Sequence, residues 1–313
     1  MSFTLQRISV AQYASAVLPH THALWGRGVT LEAYTARNAA FANSPYGRKH
    51  FTRHALTQDG EILASFKRYE REAFERGTSL RAMGIGAVFT EESLRGRGYA
   101  TAMLAMALDE ARKDGLDFAF LYSDIRPKFY EEIGFIELPS RAISVRADNF
   151  PAHRVAIERV AKRDWMSLRS CFAEMEVYRE CGFSRSALVW NSIAMREESG
   201  DHFLIRKRDA VVAYVLGRRE PQHDAYILHE LAYRGEEGSR VIGPLLRSAA
   251  GDLQRVAGWL PPLPARSILP RGAVRKRTSA IFMAAPLTAG GKAFVAAALK
   301  KNAGDTPWEA DHV

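Results

Sequence analysis

By the spacing of its apolar positions, the chain opens on a short strand-like run over residues 3–8 and a helical stretch over 11–18. Thr30 is placed to cap a second helix running through Ala42, and Ser44-Pro45-Tyr46-Gly47 is read as its end. Strand-like segments follow over 51–57, 62–74 and 79–90, the first two joined by Asp59-Gly60, a dipeptide suited to a tight hairpin. Ala100, Met103, Leu104, Ala107, Leu108 and Ala111 then recur at spacings of three and four, and Gly115 closes that helix. Residues 118–122 form a nearly continuous apolar strand of the kind buried on both faces. Another helix starts at Ser123-Asp124-Ile125-Arg126-Pro127, with Asp124 or Arg126 near its cap, and ends at Gly134; a strand over 135–138 stops at Pro139. Strands alternating with helices around an antiparallel meander predict an α/β fold with a mixed central sheet and flanking helices.

After a linker over 147–151 the pattern partly repeats. A strand over 153–160, a helix capped by Asp164 and reaching about residue 178, and strands over 203–206, 210–217 and 225–232 are expected. A helix over 240–256, the break Pro261-Pro262-Leu263-Pro264 and a late strand over 279–285 follow, and the polar tail from Asp305 reads as loose. This order echoes the first half. It divides the chain into residues 1–148 and a second, degenerate copy over 152–303.

Composition narrows the class. The chain has 313 residues, 47% hydrophobic and 25% charged, which suits a globular protein of two domains. No apolar run approaches the roughly 18–20 residues of a membrane span, and no basic region followed by an apolar core opens the chain. A cytoplasmic protein without membrane contact is the default expectation. The only cysteines, Cys171 and Cys181, belong to no metal-binding pattern, so neither a disulfide nor a metal site is expected. A net charge of +9 suggests an anionic partner. The basic residues are dispersed and carry no nucleic-acid motif, so a polyanionic cosubstrate accounts for them without specific nucleic-acid binding.

The run from Val88 to Thr101 carries the clearest chemistry. The strand ending Val88-Phe89-Thr90 passes through a polar turn into Arg95-Gly96-Arg97-Gly98-Tyr99-Ala100-Thr101, which opens a helix. Gly96 and Gly98 bare backbone amides at the positive end of a helix dipole, and Arg95 and Arg97 add fixed charge, a combination suited to phosphate. No Gly-Lys-Ser/Thr follows, and the third small residue of a dinucleotide fingerprint is missing. A tight turn with solvated arginines is the plainer alternative.

Arg95, Gly98 and Ala100 match the Arg/Gln-x-x-Gly-x-Gly/Ala signature of the GNAT N-acetyltransferase superfamily, and Phe129-Tyr130-Glu131-Glu132-Ile133-Gly134-Phe135 resembles its Phe-Tyr-Glu-x-x-Gly-Phe segment. The chain therefore resembles a GNAT acetyltransferase over roughly residues 1–150. The Trp25-Gly26 turn, the long meander and the degenerate second half resemble the tandem, enhanced-intracellular-survival type. The resemblance implies that Val88, Phe89 and Thr90 contact the pantetheine arm of acetyl-CoA, that Arg95, Gly96, Arg97, Gly98, Tyr99, Ala100 and Thr101 hold its pyrophosphate, and that Tyr130 is the general acid. Without that motif Tyr130 reads more simply as a core tyrosine whose hydroxyl caps a backbone group. The implied reaction is direct acetyl transfer to a primary amine, on a small molecule or a lysine, in a ternary complex. A catalytically inactive acyl-CoA sensor or scaffold is the alternative.

Ser123 and Asp124 follow the buried strand and are candidates for binding the amine, a helix N-cap being the plainer reading of Asp124. The strand entering the glycine loop, Met83-Gly84-Ile85-Gly86-Ala87, offers no carboxylate as general base. His54, Glu70 and Glu72 are the nearest alternatives. In the tandem subfamily a terminal carboxylate serves, but here the chain runs on from the last strand to Val313. In the second half Arg234-Gly235-Glu236-Glu237-Gly238-Ser239 stands where a phosphate loop would be, and its glutamates would repel pyrophosphate. That half is expected to build a wall of the substrate site or a homo-oligomer surface.

Overall fold

The computed structural model describes residues 3–26, 28–125, 127–152, 155–300 and 306–312. The readings that involved Arg126, His153, Asp305 and Val313 therefore lie outside the described residues.

The first half begins with β1 (Thr4–Ile8) and four helices, α1 (Val10–Ala16), α2 (Leu18–Trp25), α3 (Leu31–Asn43) and α4 (Pro45–His50). The expected first helix is thus two, and Ser44 does not simply end α3: its hydroxyl accepts from the Gly47 amide and caps α4. A meander of β2 (Phe51–Gln58), β3 (Glu61–Glu75) and β4 (Thr78–Phe89) follows. Asp59 and Gly60, like Arg76 and Gly77, take positive φ in two-residue turns that match the twist of the strands. After α5 (Tyr99–Lys113) come β5 (Phe118–Ser123), the single turn α6 (Lys128–Glu131) and β6 (Ile136–Glu137). Met103, Leu104, Ala107, Leu108 and Ala111 on α5 are buried against Met83, Ile85, Ala119 and Leu121 of the sheet.

β7 (Arg141–Arg146) stands just before the linker, and the second half holds β8 (Glu158–Arg159), α7 (Trp165–Glu176), β9 (Cys181–Ser184), α8 (Ala187–Arg196), β10 (Phe203–Lys207), β11 (Ala210–Glu220) and β12 (Ala225–Tyr233). It continues with α9 (Gly235–Ala250), β13 (Arg255–Trp259), β14 (Ala273–Lys276), β15 (Ile281–Pro286) and α10 (Ala289–Ala298). The helix expected over 240–256 starts earlier, at Gly235, and stops at Ala250; Val256 is instead a buried strand residue.

Two mixed sheets result. The first, eight-stranded among the described residues, runs β1-β2-β3-β4-β5-β15-β6 with β9 added beside the end of β3. The second runs β14-β7-β13-β12-β11-β10-β8. Sheet membership crosses the linker in both directions. β7, which the sequence reading passed over, pairs with β13, burying Ile143 and Val145 in the core of the second half. In return β15 lies between β5 and β6, and α10 seals that sheet: Phe294 stacks on Phe118 at 4.3 Å between ring centres.

The tail expected to be loose is buried. Thr306, Trp308, Ala310 and Asp311 have almost no exposed surface. Asp311 Oδ1 accepts from Arg71 Nη2 and Arg185 Nε, both at 2.9 Å, and Arg185 Nη2 lies 2.5 Å from Glu230, which also accepts from the Tyr214 hydroxyl. Arg179 and Arg196 donate to the carbonyls of Thr306, Ala310 and His312. One buried charge network thus joins β3, β12, the segment after β9 and the tail. Burial alone would raise the Asp311 pKa, but Arg185 and Arg71 outweigh it and hold the carboxyl at about 2.

Two outcomes are expected. A fragment of residues 1–150 lacks β15 and α10, so it exposes Phe118 and Phe120 and two open strand edges; size-exclusion chromatography and circular dichroism should find it aggregated or unfolded. In the full chain Asp311→Ala strands two buried guanidinium groups and should remove about 3–5 kcal/mol in urea unfolding. Because the carboxyl is depressed in the folded state, its contribution is complete above its ordinary value of 3.8 and fades as pH falls toward about 2.

Candidate active site

The site is built where β4 and β5 part. The two strands pair in parallel from Ala82 opposite Phe118 to Ile85 opposite Leu121, and no further. On its other edge β4 stays paired with β3, but two residues of β4, Ala87 and Val88, stand opposite one of β3, Phe66: Gly86 faces Lys67 and Phe89 faces Ser65. The extra residue is a bulge at Ala87, whose φ of 48° is a left-handed conformation that costs a residue with a side chain roughly 1–2 kcal/mol. Beyond it, the edge of residues 86–89 that would face β5 has no strand partner among the described residues. Val88 and Phe89 lie on this stretch, and Thr90 follows with its hydroxyl buried and unpartnered among the described residues. Phe89 is held between His20 and Trp25 of α2, at 6.5 and 6.4 Å between ring centres.

From Thr90 the chain makes a short turn over Glu92–Leu94 and enters α5. Arg95 Nε donates to the Thr90 carbonyl at 3.1 Å, folding the loop back on the strand. Gly96 and Gly98 have φ of 77° and 78°, Gly98 being the N-cap of α5, so a side chain at either would be strained. An added Cβ would meet nothing within 4 Å at either position: the conformation, not crowding, requires glycine, and the space above the loop is open. The Arg95 amide bonds to Glu92 and the Ala102 amide to Gly98, while among the described residues the amides between them, including those of Arg97, Tyr99, Ala100 and Thr101, have no backbone partner. Bare amides at the start of a 15-residue helix, with Arg97 exposed beside them, fit a phosphate.

Tyr130 sits on α6, nearly buried and edge-on to Phe129 and Phe135. Burial, and after it the charge of Asp124, pushes its phenol up to about 12. Ser123 and Asp124 are engaged within the protein. The Ser123 hydroxyl donates to the Ile125 carbonyl at 2.8 Å, and Asp124 accepts from the Ala280 amide at 2.9 Å, tying the loop after β5 to the start of β15. Asp124 does not cap α6; Pro127 occupies that position.

The alternative bases are placed elsewhere. His54 stacks on Phe66 at 5.3 Å, on the sheet face that α5 covers, where burial, then Arg68 and Arg7, hold its pKa near 4. Glu70 pairs with Arg68, which also binds Asp114 at the C-terminal end of α5, away from the glycine loop. Glu72 is exposed opposite Arg81.

What the sequence reading missed is the return of the tail. His312 packs 4.7 Å from Tyr122 at the end of β5 and 5.7 Å from Trp259 of the second sheet. Trp308, an aromatic residue in an otherwise polar terminus, was the available signal. Glu309 lies 3.8 Å from His229, whose other nitrogen is 2.8 Å from Glu197. In the second half the supposed counterpart loop is no loop: Gly235 already begins α9, and Glu236 and Glu237 fill its first turn, paired with Arg240 and Lys207. Carboxylates there complement the dipole that a phosphate would otherwise use. Among the described residues no group of three or more His, Cys, Asp or Glu side chains is placed to hold a metal, and no helix is long and apolar enough to cross a membrane.

A sheet that splays behind a bulge, followed by a glycine loop on a helix N-terminus, is the arrangement of the GNAT fold. Residues 20–137 match the sequence model of the acetyltransferase (GNAT) domain, and this part of the chain belongs to that superfamily. No curated protein matches the sequence. Among solved structures, a conserved protein of unknown function from Enterococcus faecalis V583, described as a probable N-acyltransferase, is 15% identical with a TM-score of 0.75, over 94% of this chain and 74% of that one. Eis1 from Mycobacterium abscessus is 12% identical with a TM-score of 0.62, over 91% and 74%. A tandem GNAT protein from the clavulanic acid biosynthesis pathway is 10% identical with a TM-score of 0.53, over 92% and 99%. At these identities the likeness is one of fold, and it extends over both halves.

Proposed function

We propose that the chain transfers the acetyl group of acetyl-CoA to a primary amine, by direct attack in a ternary complex. The observation that carries this reading is the unpaired edge of residues 86–89 beside the bare amides of residues 96–101. The pantetheine arm lies along that edge as an added strand, and the pyrophosphate sits on the start of α5, with the helix dipole adding roughly 0.3–1 kcal/mol. The amine nitrogen attacks the thioester carbonyl, and the proton the nitrogen sheds as the amide forms passes to water. The carbonyl oxygen takes the negative charge and is stabilised by backbone N–H groups past the bulge, which need no reorganisation. As the carbon–sulfur bond breaks, Tyr130 gives its proton to the leaving thiolate. An amine that arrives neutral, or one relieved of its proton through water, meets the lack of a carboxylate on β4. The same lack favours a second reading, an acyl-CoA sensor that binds without turnover.

Calorimetry and a free-thiol assay over a panel of amines test the proposal. Gly98→Glu combines a strained backbone with a like charge against the pyrophosphate and should weaken acetyl-CoA binding by roughly a hundredfold or more. Tyr130→Phe should bind acetyl-CoA normally and lose about a hundredfold or more in kcat. With its phenol near 12, the wild type should show no loss of rate from Tyr130 ionisation below about pH 10. Tight binding with no thiol released from any amine supports the sensor instead, and absence of acetyl-CoA binding removes both readings.

A further inference from the structure

A cavity of about 390 Å³ opens between α7, the start of α8, β9 and the tip of the β3–β4 hairpin. It lies at the end of β3 remote from Phe89 and uses none of the residues of the β4–β5 opening. Its volume is in the range of small-molecule sites, about 300–1,000 Å³. Phe74, Phe172, Phe183 and Trp190 line it.

Two arginines give it a charge. Arg185, with 1% of its side chain exposed, lines the cavity with its guanidinium 4.1 Å from the ring centre of Phe172 and 5.0 Å from that of Trp190. Its Nε binds Asp311 and its Nη2 faces Glu230, but Nη1 has no hydrogen-bond partner among the described residues. A buried donor left unmade is costly, so such a group favours an acceptor brought by a ligand. Arg169, half-buried on the cavity wall, makes no ion pair or hydrogen bond among the described residues. On the same wall Glu176 pairs with Arg179 through one carboxylate oxygen, and the other is buried and unpartnered.

We propose that this cavity binds a small apolar monocarboxylate carrying a hydrogen-bond donor beside its acid group, an aromatic hydroxy acid being the simplest form. The ring packs among the four aromatic side chains, the carboxylate accepts from Arg169 and Arg185 Nη1, and the donor meets Glu176, which disfavours a dianion. This assignment is independent of the acetyl-transfer reading, since the two sites share no residue.

The test is calorimetric titration of the full chain with 3-phenyllactate, which has no amine to be acetylated, and with 3-phenyl-1,2-propanediol, which lacks the carboxylate. The acid should bind, and the diol should bind at least about tenfold more weakly. Arg169→Gln should weaken the acid by about tenfold, and Ala173→Phe, which fills the cavity from an exposed position on α7, should abolish its binding while leaving acetyl-CoA binding or its absence unchanged. No binding of the acid, equal binding of acid and diol, or full binding by Ala173→Phe would overturn the assignment. So would self-association in sedimentation that Ala173→Phe abolishes and 3-phenyllactate does not compete with, since the occupant would then be a second copy of the chain.

Discussion

The parting of β4 from β5 is the constraint on which the rest of the molecule depends. Two parallel strands that had stayed paired would satisfy each other's backbone and leave nothing for a ligand. One extra residue in β4, accommodated by a left-handed Ala87, turns the strand while its bonds to β3 persist. The edge so released is a row of donors and acceptors without partners, and the chain leaves it directly for the glycine loop and α5. Strand edge and helix N-terminus thus meet at the carboxyl end of the strand, where open α/β sheets bind their ligands. The glycines serve the same opening, since their conformation lets the chain begin a helix with its first amides uncovered.

The two halves are joined by exchange more than by contact. β7 and β15 each complete the sheet of the other half, and α10 buries aromatic residues of the first sheet although it stands near the end of the chain. The tail adds a second tie. Asp311, Arg71, Arg185 and Glu230 are almost wholly buried, and such networks add little net stability over an apolar core while being costly to break. Its consequence is geometric: the network fixes the tail between the halves and places His312 against Tyr122, at the end of the strand that borders the opening. Arg185 also forms part of the wall of the separate aromatic cavity, so one buried cation touches both regions.

The parts legible in the sequence were those whose signal is local. The periodicity of α5, the apolar run of β5, the Asp59-Gly60 turn and the paired GNAT motifs each lie within one element or its immediate flanks, and each appears where the pattern put it. What escaped depends on partners distant in sequence. β7 is a short alternation, Ala142-Ile143-Ser144-Val145, whose buried face exists only against β13. The buried tail reads as polar because its charges are neutralised by arginines far back in the chain. Nothing local showed that the turn holding Glu236 and Glu237 is the first turn of a helix. The engagement of Asp124 with the Ala280 amide likewise follows from the arrival of β15, which no local pattern announces.

Amide hydrogen exchange with and without acetyl-CoA tests the central claim most directly. Among the described residues the backbone groups of residues 86–89 on the edge away from β3, and the amides of residues 96–101, have no strand or helix partners, so both segments should gain protection together when the ligand is added. Protection confined to another surface, or none at saturating ligand, would contradict the account.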